Sequence, residues 1–275
     1  MLRQRVLTAL LLAPLAILLI LLVPTSAFAC LLAAAFLAAT WEWTRLAGMK
    51  SRGTRGVLLG VALLIFIALW ALRTSPWLWP ALMVAGVAWW LLVCVWLQHF
   101  TFAAAPTPEN RNLKLLAGAF VVFPAWVGGL SIHGAESRGH IWFFVAMLLV
   151  WAADTGAYFA GSYFGKGKRK LAPTISPGKT WAGVYGAFAT SAVVAAVAGW
   201  LLGVRDLRLA GLIIVTIVTV ASSIVGDLLE SLMKRHANVK DSGALFPGHG
   251  GLLDRLDSVF AALPVFALGK LLLGF

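Results

Sequence analysis

The sequence predicts an all-α, polytopic integral membrane protein, and three observations carry that prediction. Hydrophobic residues make up 61% of the 275 and charged residues only 12%, a balance that a water-soluble domain could not cover with polar surface. Apolar stretches of about the length needed to cross a ~30 Å hydrocarbon layer follow one another along the chain. Basic residues gather in alternate breaks between those stretches. The mean hydropathy of +0.92 leaves no room for a separate soluble domain, so residues 1–275 are expected to form a single membrane domain. A secreted disulfide scaffold is excluded as well, because Cys30 and Cys94 lie in apolar runs with no CxxC pair and are expected to face lipid or packing.

Between polar and Pro/Gly-rich breaks, nine spans are predicted: 6–24, 27–44, 56–72, 77–97, 113–132, 141–163, 181–203, 208–232 and 256–274. The segment Ala27-Phe28-Ala29 before Cys30 imitates a signal-peptide cleavage site. The apolar run before it exceeds the usual core of about 7 to 15 residues and a second span follows at once, so it is assigned as a span. With Arg3 and Arg5 placed in the cytoplasm, seventeen of the 22 lysines and arginines fall on that side and five on the other, as the positive-inside rule requires. The net charge of +12, which would suggest nucleic acid for a soluble protein, is thus explained by the bilayer, and no nucleic-acid partner is expected.

The first four spans, to about residue 98, are rich in Leu, Ala, Val and Trp, and are expected to be helical scaffold. Glu42, near a cytoplasmic end, is nearly the only intramembrane polar group there. Trp41, Trp43, Trp77 and Trp79 sit at span ends and are expected in an aromatic belt at headgroup level. The segment 103–110 is a loop, since Pro106 and Pro108 block helix continuation. His99, His133 and His140 show no ligand spacing and are expected to be loop or interface residues.

Six of the ten acids lie beyond residue 140 in spans or cytoplasmic segments: Asp154, Asp227, Glu230, Asp241, Asp254 and Asp257. Residues 141–275 are therefore the expected catalytic half. Asp154 interrupts an apolar run about 18 Å of helix rise before the basic loop at Lys166. A carboxylate at mid-span costs about 2.5–3.5 kcal/mol on insertion scales and usually faces a cavity or partner. Nearby Gly156, Ala160 and Gly161 suit close helix packing. Asp227, Glu230, Ser231 and Lys234 share one helical stripe, for which an intrahelical ion-pair ladder is the plain structural alternative. Residues 234–257 follow, the densest polar stretch, in which Gly248, Gly250 and Gly251 permit amides to converge on an anion. Asp254 and Asp257 open the last span on one helical face; dipole capping alone would account for either.

The second basic loop, 165–183, adds Lys166, Lys168, Arg169, Lys170 and Lys179 beside Ser176-Pro177-Gly178. Attraction to anionic headgroups accounts equally well for the 166–170 run. Gly178-Lys179-Thr180 imitates the end of a P-loop, but Pro173 stands where the first glycine belongs and no strand is predicted before it. Carboxylates beside cations and glycine-rich backbone are what polyphosphate chemistry needs: carboxylate oxygens hold Mg²⁺ and Lys or Arg offsets charge on transferring and leaving groups. An ion-coupled transporter using Asp154, Asp227 and Glu230 is the alternative from another class.

Ser231-x-x-Lys234-Arg235, Lys240-Asp241, Pro247-Gly248-His249-Gly250-Gly251, Asp254-Arg255 and Asp257 resemble the signature of the phosphatidate cytidylyltransferases, the CDP-diacylglycerol synthases, and segments 154–165 and 176–183 resemble that family too. The resemblance implies a multi-helix membrane enzyme that transfers CMP from CTP to phosphatidic acid with Mg²⁺, giving CDP-diacylglycerol and pyrophosphate. Asp227 and Asp254, with Asp257 and Asp154 as further candidates, are then the expected metal ligands, and a second cation is left open. Lys234, Arg235, Lys240, His249 and Arg255 are expected on phosphates, with Ser231, Asp241, Gly250, Gly251, Ser176 and Lys179 lining the substrate site. The lipid substrate places the enzyme in the cytoplasmic (inner) membrane with its site facing the cytoplasm; a homodimer is left open. The CDP-alcohol phosphotransferases are disfavoured, since their motif opens with Asp-Gly and no such dipeptide occurs.

Overall fold

The computed structural model describes residues 13–136, 138–245 and 250–274. Nine helices run through them: α1 (Ala13–Leu22), α2 (Thr25–Leu46), α3 (Arg52–Ala71), α4 (Leu78–Gln98), α5 (Pro108–His133), α6 (Gly139–Phe164), α7 (Trp181–Leu201), α8 (Asp206–His236) and α9 (Leu253–Leu273). All but α1 are long and apolar enough to cross a membrane. The all-α polytopic fold is as the composition predicts, and most span limits agree within a few residues. Residues 6–12 of the first expected span lie outside the described residues.

Two ends differ from expectation for local reasons. Pro108 does not stop a helix but opens α5 at its first turn, where a missing N–H costs nothing, and the Thr107 side chain caps it by accepting from the Asn110 amide. The basic loop after α6 contains a two-stranded antiparallel hairpin, β1 (Lys170–Ala172) and β2 (Ser176–Thr180). Gly178-Lys179-Thr180 therefore lies in a strand, and Thr180 ends it by capping α7 through the Gly183 amide at 3.2 Å.

Helices α5 and α9 form the centre, with 67% and 61% of their most apolar windows buried against 22% for α3 and α4. Small residues set their approach. A Cβ on Gly128 would meet the backbone of Leu263 and Pro264 at 2.9 Å, and one on Gly86 would strike Pro124 and crowd Pro264, so α4, α5 and α9 close on one another there. Gly156 fits α6 against Thr190 and Gly186 of α7 in the same way, as expected of that small-residue stretch. Outward faces carry Leu, Val and Ile, and Cys30 and Cys94 are both exposed.

Several side chains take inner positions that span-end arguments do not foresee. Trp43 is buried, not in an interfacial belt: its Nε1 donates to the Lys114 carbonyl at 2.8 Å and its ring fills the space beside Gly118. His133 is a core residue, not a loop one. It stacks on Phe28, with one ring nitrogen 3.0 Å from Thr25 Oγ1 and the other 3.0 Å from the Ile20 carbonyl. Each satisfies its polar atoms on another helix, Trp43 on a backbone carbonyl and His133 on a carbonyl and a hydroxyl, as burial requires.

The connections expected to share one side do gather at one end of the bundle. His236 Nε2 meets the Phe100 carbonyl at 2.7 Å, Arg235 Nε donates to the Ile175 carbonyl at 3.1 Å, and Arg45 donates to the Asp241 and Ser242 carbonyls. At the opposite end Arg138 reaches Leu202 and His140 reaches Leu21.

Candidate active site

A cavity of about 270 Å³ opens between α6, α7, α8 and the hairpin, lined by Asp154, Lys179, Asp227, Gly183 and Ser258 among others. Each charged group arrives on a different element. Asp154 comes from α6, where the small residues Ala153 and Ala157 flank it in the cavity wall. Lys179 comes from β2, whose last residue caps α7. Asp227 comes from α8, immediately after Gly226, where a Cβ would run into the Asp257 carbonyl and hold α8 off α9. The Lys179 ammonium sits 2.5 Å from Asp227 Oδ2, and Ser231 Oγ donates to Asp227 Oδ1 at 3.3 Å. Asp154 lines the same cavity from α6, and Asp257 of α9 lies beside the site through its carbonyl, which packs on Gly226.

Two turns further along α8, or about 10 Å, lies a second cluster. Lys234 Nζ is 2.5 Å from Glu230 Oε2 and donates to Asp254 Oδ1 at 2.7 Å. Asp254 Oδ2 accepts from the Ser242 amide (2.9 Å), the Ser242 hydroxyl (2.8 Å) and the Gly251 amide (2.8 Å). Four donors thus occupy Asp254, expected as a metal ligand, and it works as a clamp on the chain between α8 and α9. Gly250 has φ +78° and lies against the same carboxylate, where a Cβ would come within 2.6 Å of Oδ2, so glycine is required on both counts.

The rest of the expected set is spread around these clusters. The intrahelical ladder exists only in part, since Lys234 pairs with Glu230 while the cation of Asp227 is Lys179. Arg235 fastens the hairpin turn to α8, and Ser176 begins β2 opposite Ala172. Lys240, Asp241 and Arg255 are exposed on the loop side. The Asp257 carboxylate turns to the Ser258 amide at 2.7 Å. His249, with Pro247 and Gly248, lies outside the described residues.

Glu42, placed with the scaffold from sequence, proves to hold the loop. Its Oε1 accepts from the Leu252 amide at 3.1 Å and its Oε2 from the Leu253 amide at 2.8 Å, with the Ser242 hydroxyl 2.9 Å away. Helix α9 has no side-chain cap of its own; a carboxylate from α2 caps it across some 210 residues of sequence. The single Ser242 hydroxyl proton is shared between Glu42 and Asp254. Gly243 and Gly251 are the counterpart, since a Cβ on either would overlap the Glu42 carboxylate. The signal was available: Glu42 is the one acid within the first four predicted spans, and intramembrane acids seldom lack a task.

Carboxylates, a strand-borne lysine and a glycine-rich clamped loop at one end of a helical bundle define a class: integral membrane proteins equipped to handle phosphate-bearing substrates beside the bilayer. A family model described as "Cytidylyltransferase family" matches residues 3–272, and the chain belongs to that family. It is 41% identical over 274 residues to a phosphatidate cytidylyltransferase of Pseudomonas aeruginosa, covering 97% of this chain and 96% of the relative. A protein of the same name from Haemophilus influenzae is 38% identical over 286 residues, with 97% and 98% covered. One from Bacillus subtilis is 39% identical over 135 residues, about half of each chain. Nothing in these likenesses supports the transporter alternative.

Proposed function

We propose that the protein is a phosphatidate cytidylyltransferase, which transfers CMP from CTP to phosphatidic acid and releases pyrophosphate, with its site at the cytoplasmic face of the inner membrane. The observation that carries this reading is the cavity into which Asp154, Asp227 and Lys179 open together. A phosphate oxygen of the lipid forms a bond to the α-phosphorus of CTP; the bond from that phosphorus to the pyrophosphate oxygen breaks, and its electron pair leaves with pyrophosphate. A phosphate monoester has its second pKa near 6, so the nucleophile is already anionic at neutral pH and a general base is dispensable. What the protein must supply is relief of repulsion between two anions.

Lys179, at the cavity mouth on β2, offsets charge on the reacting phosphates. Lys234, two turns along α8 from Asp227, holds Asp254 where it binds Ser242 and Gly251, so that the Gly250 and Gly251 backbone is presented to the leaving group. Among the described residues no three acid, histidine or cysteine side chains form a closed metal cage. Mg²⁺ does not need one, because it is commonly held by one or two carboxylates together with substrate phosphates and water. Asp154 and Asp227 suit that role, with Asp257 behind Asp227. When bound, the ion supplies Lewis-acid neutralisation of phosphate charge.

Purified protein given CTP, phosphatidate and Mg²⁺ is expected to release pyrophosphate stoichiometrically with CDP-diacylglycerol, and to prefer CTP over other nucleoside triphosphates. A carrier would release none. Absence of pyrophosphate from membrane-reconstituted, folded protein refutes the proposal.

A further inference from the structure

A second polar cavity lies away from the Asp154–Asp227 site. A space of about 370 Å³ is enclosed by the end of α2, the start of α5 and the end of α8, and it shares no lining residue with the Asp154–Asp227 cavity. Arg45, Arg111, Lys114 and His236 line it, and no acid does. Lys114 is the telling residue. It is 95% buried, since its relative exposure is 5%, and among the described residues no group accepts a hydrogen bond from its ammonium or ion-pairs with it. Its ammonium faces the cavity with no acid on the wall to pair with it, and a charge held in so enclosed a place is costly unless something in the cavity answers it. His236 shapes the wall without supplying a donor: its Nε2 donates to the Phe100 carbonyl, which leaves Nδ1 as a buried acceptor without a partner, able to receive only the O–H of a protonated phosphate. At the two helix ends that also line the cavity, carbonyls 43–45 of α2 and 233–235 of α8 are taken up by amides of the turns that follow, and the start of α5 contributes its positive pole.

We propose that this cavity is a second anion site that binds a phosphate group, carried by an anionic lipid headgroup or present as free phosphate. Its position at the bundle end that gathers the basic connections gives access to both sources. Arg45 spans the two regions, since it lines this cavity while donating to the Asp241 and Ser242 carbonyls of the clamped loop. The inference does not depend on the reaction proposed above, and its test requires no turnover.

Full-length protein in phosphatidylcholine nanodiscs is heated with increasing inorganic phosphate, against chloride of equal ionic strength. A parallel series raises the share of phosphatidylglycerol in the disc. The thermal midpoint is expected to rise saturably in at least one series: with phosphate if the free anion binds, with phosphatidylglycerol alone if the headgroup does. Lys114→Met, which keeps the buried length without the charge, should raise the half-saturating concentration about tenfold or more, as loss of a charge-assisted hydrogen bond implies. Arg111→Gln, at an exposed position in the first turns of α5, should raise it by a smaller factor and serves if Lys114→Met fails to fold. No saturable rise in either series, or unchanged half-saturation in the variants, overturns the proposal.

Discussion

Replacing Glu42 by alanine tests how the scaffold half governs the reactive half. The carboxylate accepts from the Leu252 and Leu253 amides and lies against the Ser242 hydroxyl. The hydroxyl still has Asp254 at 2.8 Å after truncation, but the two amides lose the one acceptor they have among the described residues. A buried donor left unpaired costs about 1–3 kcal/mol, so the start of α9 should be weakened locally by about 2 kcal/mol at least. At 1.4 kcal/mol per decade this is roughly a thirtyfold rise in local opening. Hydrogen exchange by mass spectrometry on the peptide covering 250–256 should show that acceleration, while peptides of α6 and α7 exchange as before. Pyrophosphate release should fall as well, because Asp254 and Gly251 are held by the same loop. Glu42→Gln retains one carbonyl acceptor and should fall between. Unchanged exchange and unchanged turnover in Glu42→Ala would refute the trans-capping argument.

The other expected outcomes concern the two clusters. Asp227→Asn should leave the protein in the membrane and lower turnover by about a hundredfold or more, the scale on which lost electrostatic stabilisation is felt; a steady-state assay on reconstituted protein checks it. Asp254→Asn should lower turnover and also loosen Ser242 and Gly251, since Lys234 keeps only Glu230 as a carboxylate partner and an amide NH₂ meets the donors around it; exchange of the 250–256 peptide separates it from Asp227→Asn, which should leave that peptide unchanged. Gly251→Ala places a methyl group on the Glu42 carboxylate and the Ser242 hydroxyl and should destabilise by about 1–3 kcal/mol, read as a lowered thermal midpoint. Chelation of divalent cations should stop pyrophosphate release, and added Mg²⁺ should restore it.

The bundle itself was legible in the sequence because burial in lipid leaves a coarse record: stretches of about twenty apolar residues, and basic residues sorted to alternate connections. Asp154 and Asp227 stood out for the same reason, being carboxylates where charge is costly. What remained hidden depends on which helices touch. The partner of Asp227 is Lys179 rather than its helical neighbour Lys234, and no spacing on α8 encodes a lysine from a hairpin nearly fifty residues earlier. Glu42 was visible as an anomaly, but its role follows only once α2 is seen beside the start of α9. Trp43 and His133 went to the interior because distant backbone carbonyls and hydroxyls received their polar atoms, again a tertiary fact. The hairpin at 170–180 escaped prediction because its strands are three and five residues long and carry turn-forming and charged residues instead of an alternating apolar pattern.

The claim that the Asp154–Asp227 cavity receives the metal-bound nucleotide is most directly tested by anomalous scattering from crystals of the protein grown with Mn²⁺ and CTP. A peak is expected between the Asp154 and Asp227 carboxylates, at coordination distance from at least one of them, that disappears in Asp227→Asn. A peak at the Glu230–Asp254 cluster alone, or one that persists unchanged in Asp227→Asn, would contradict it.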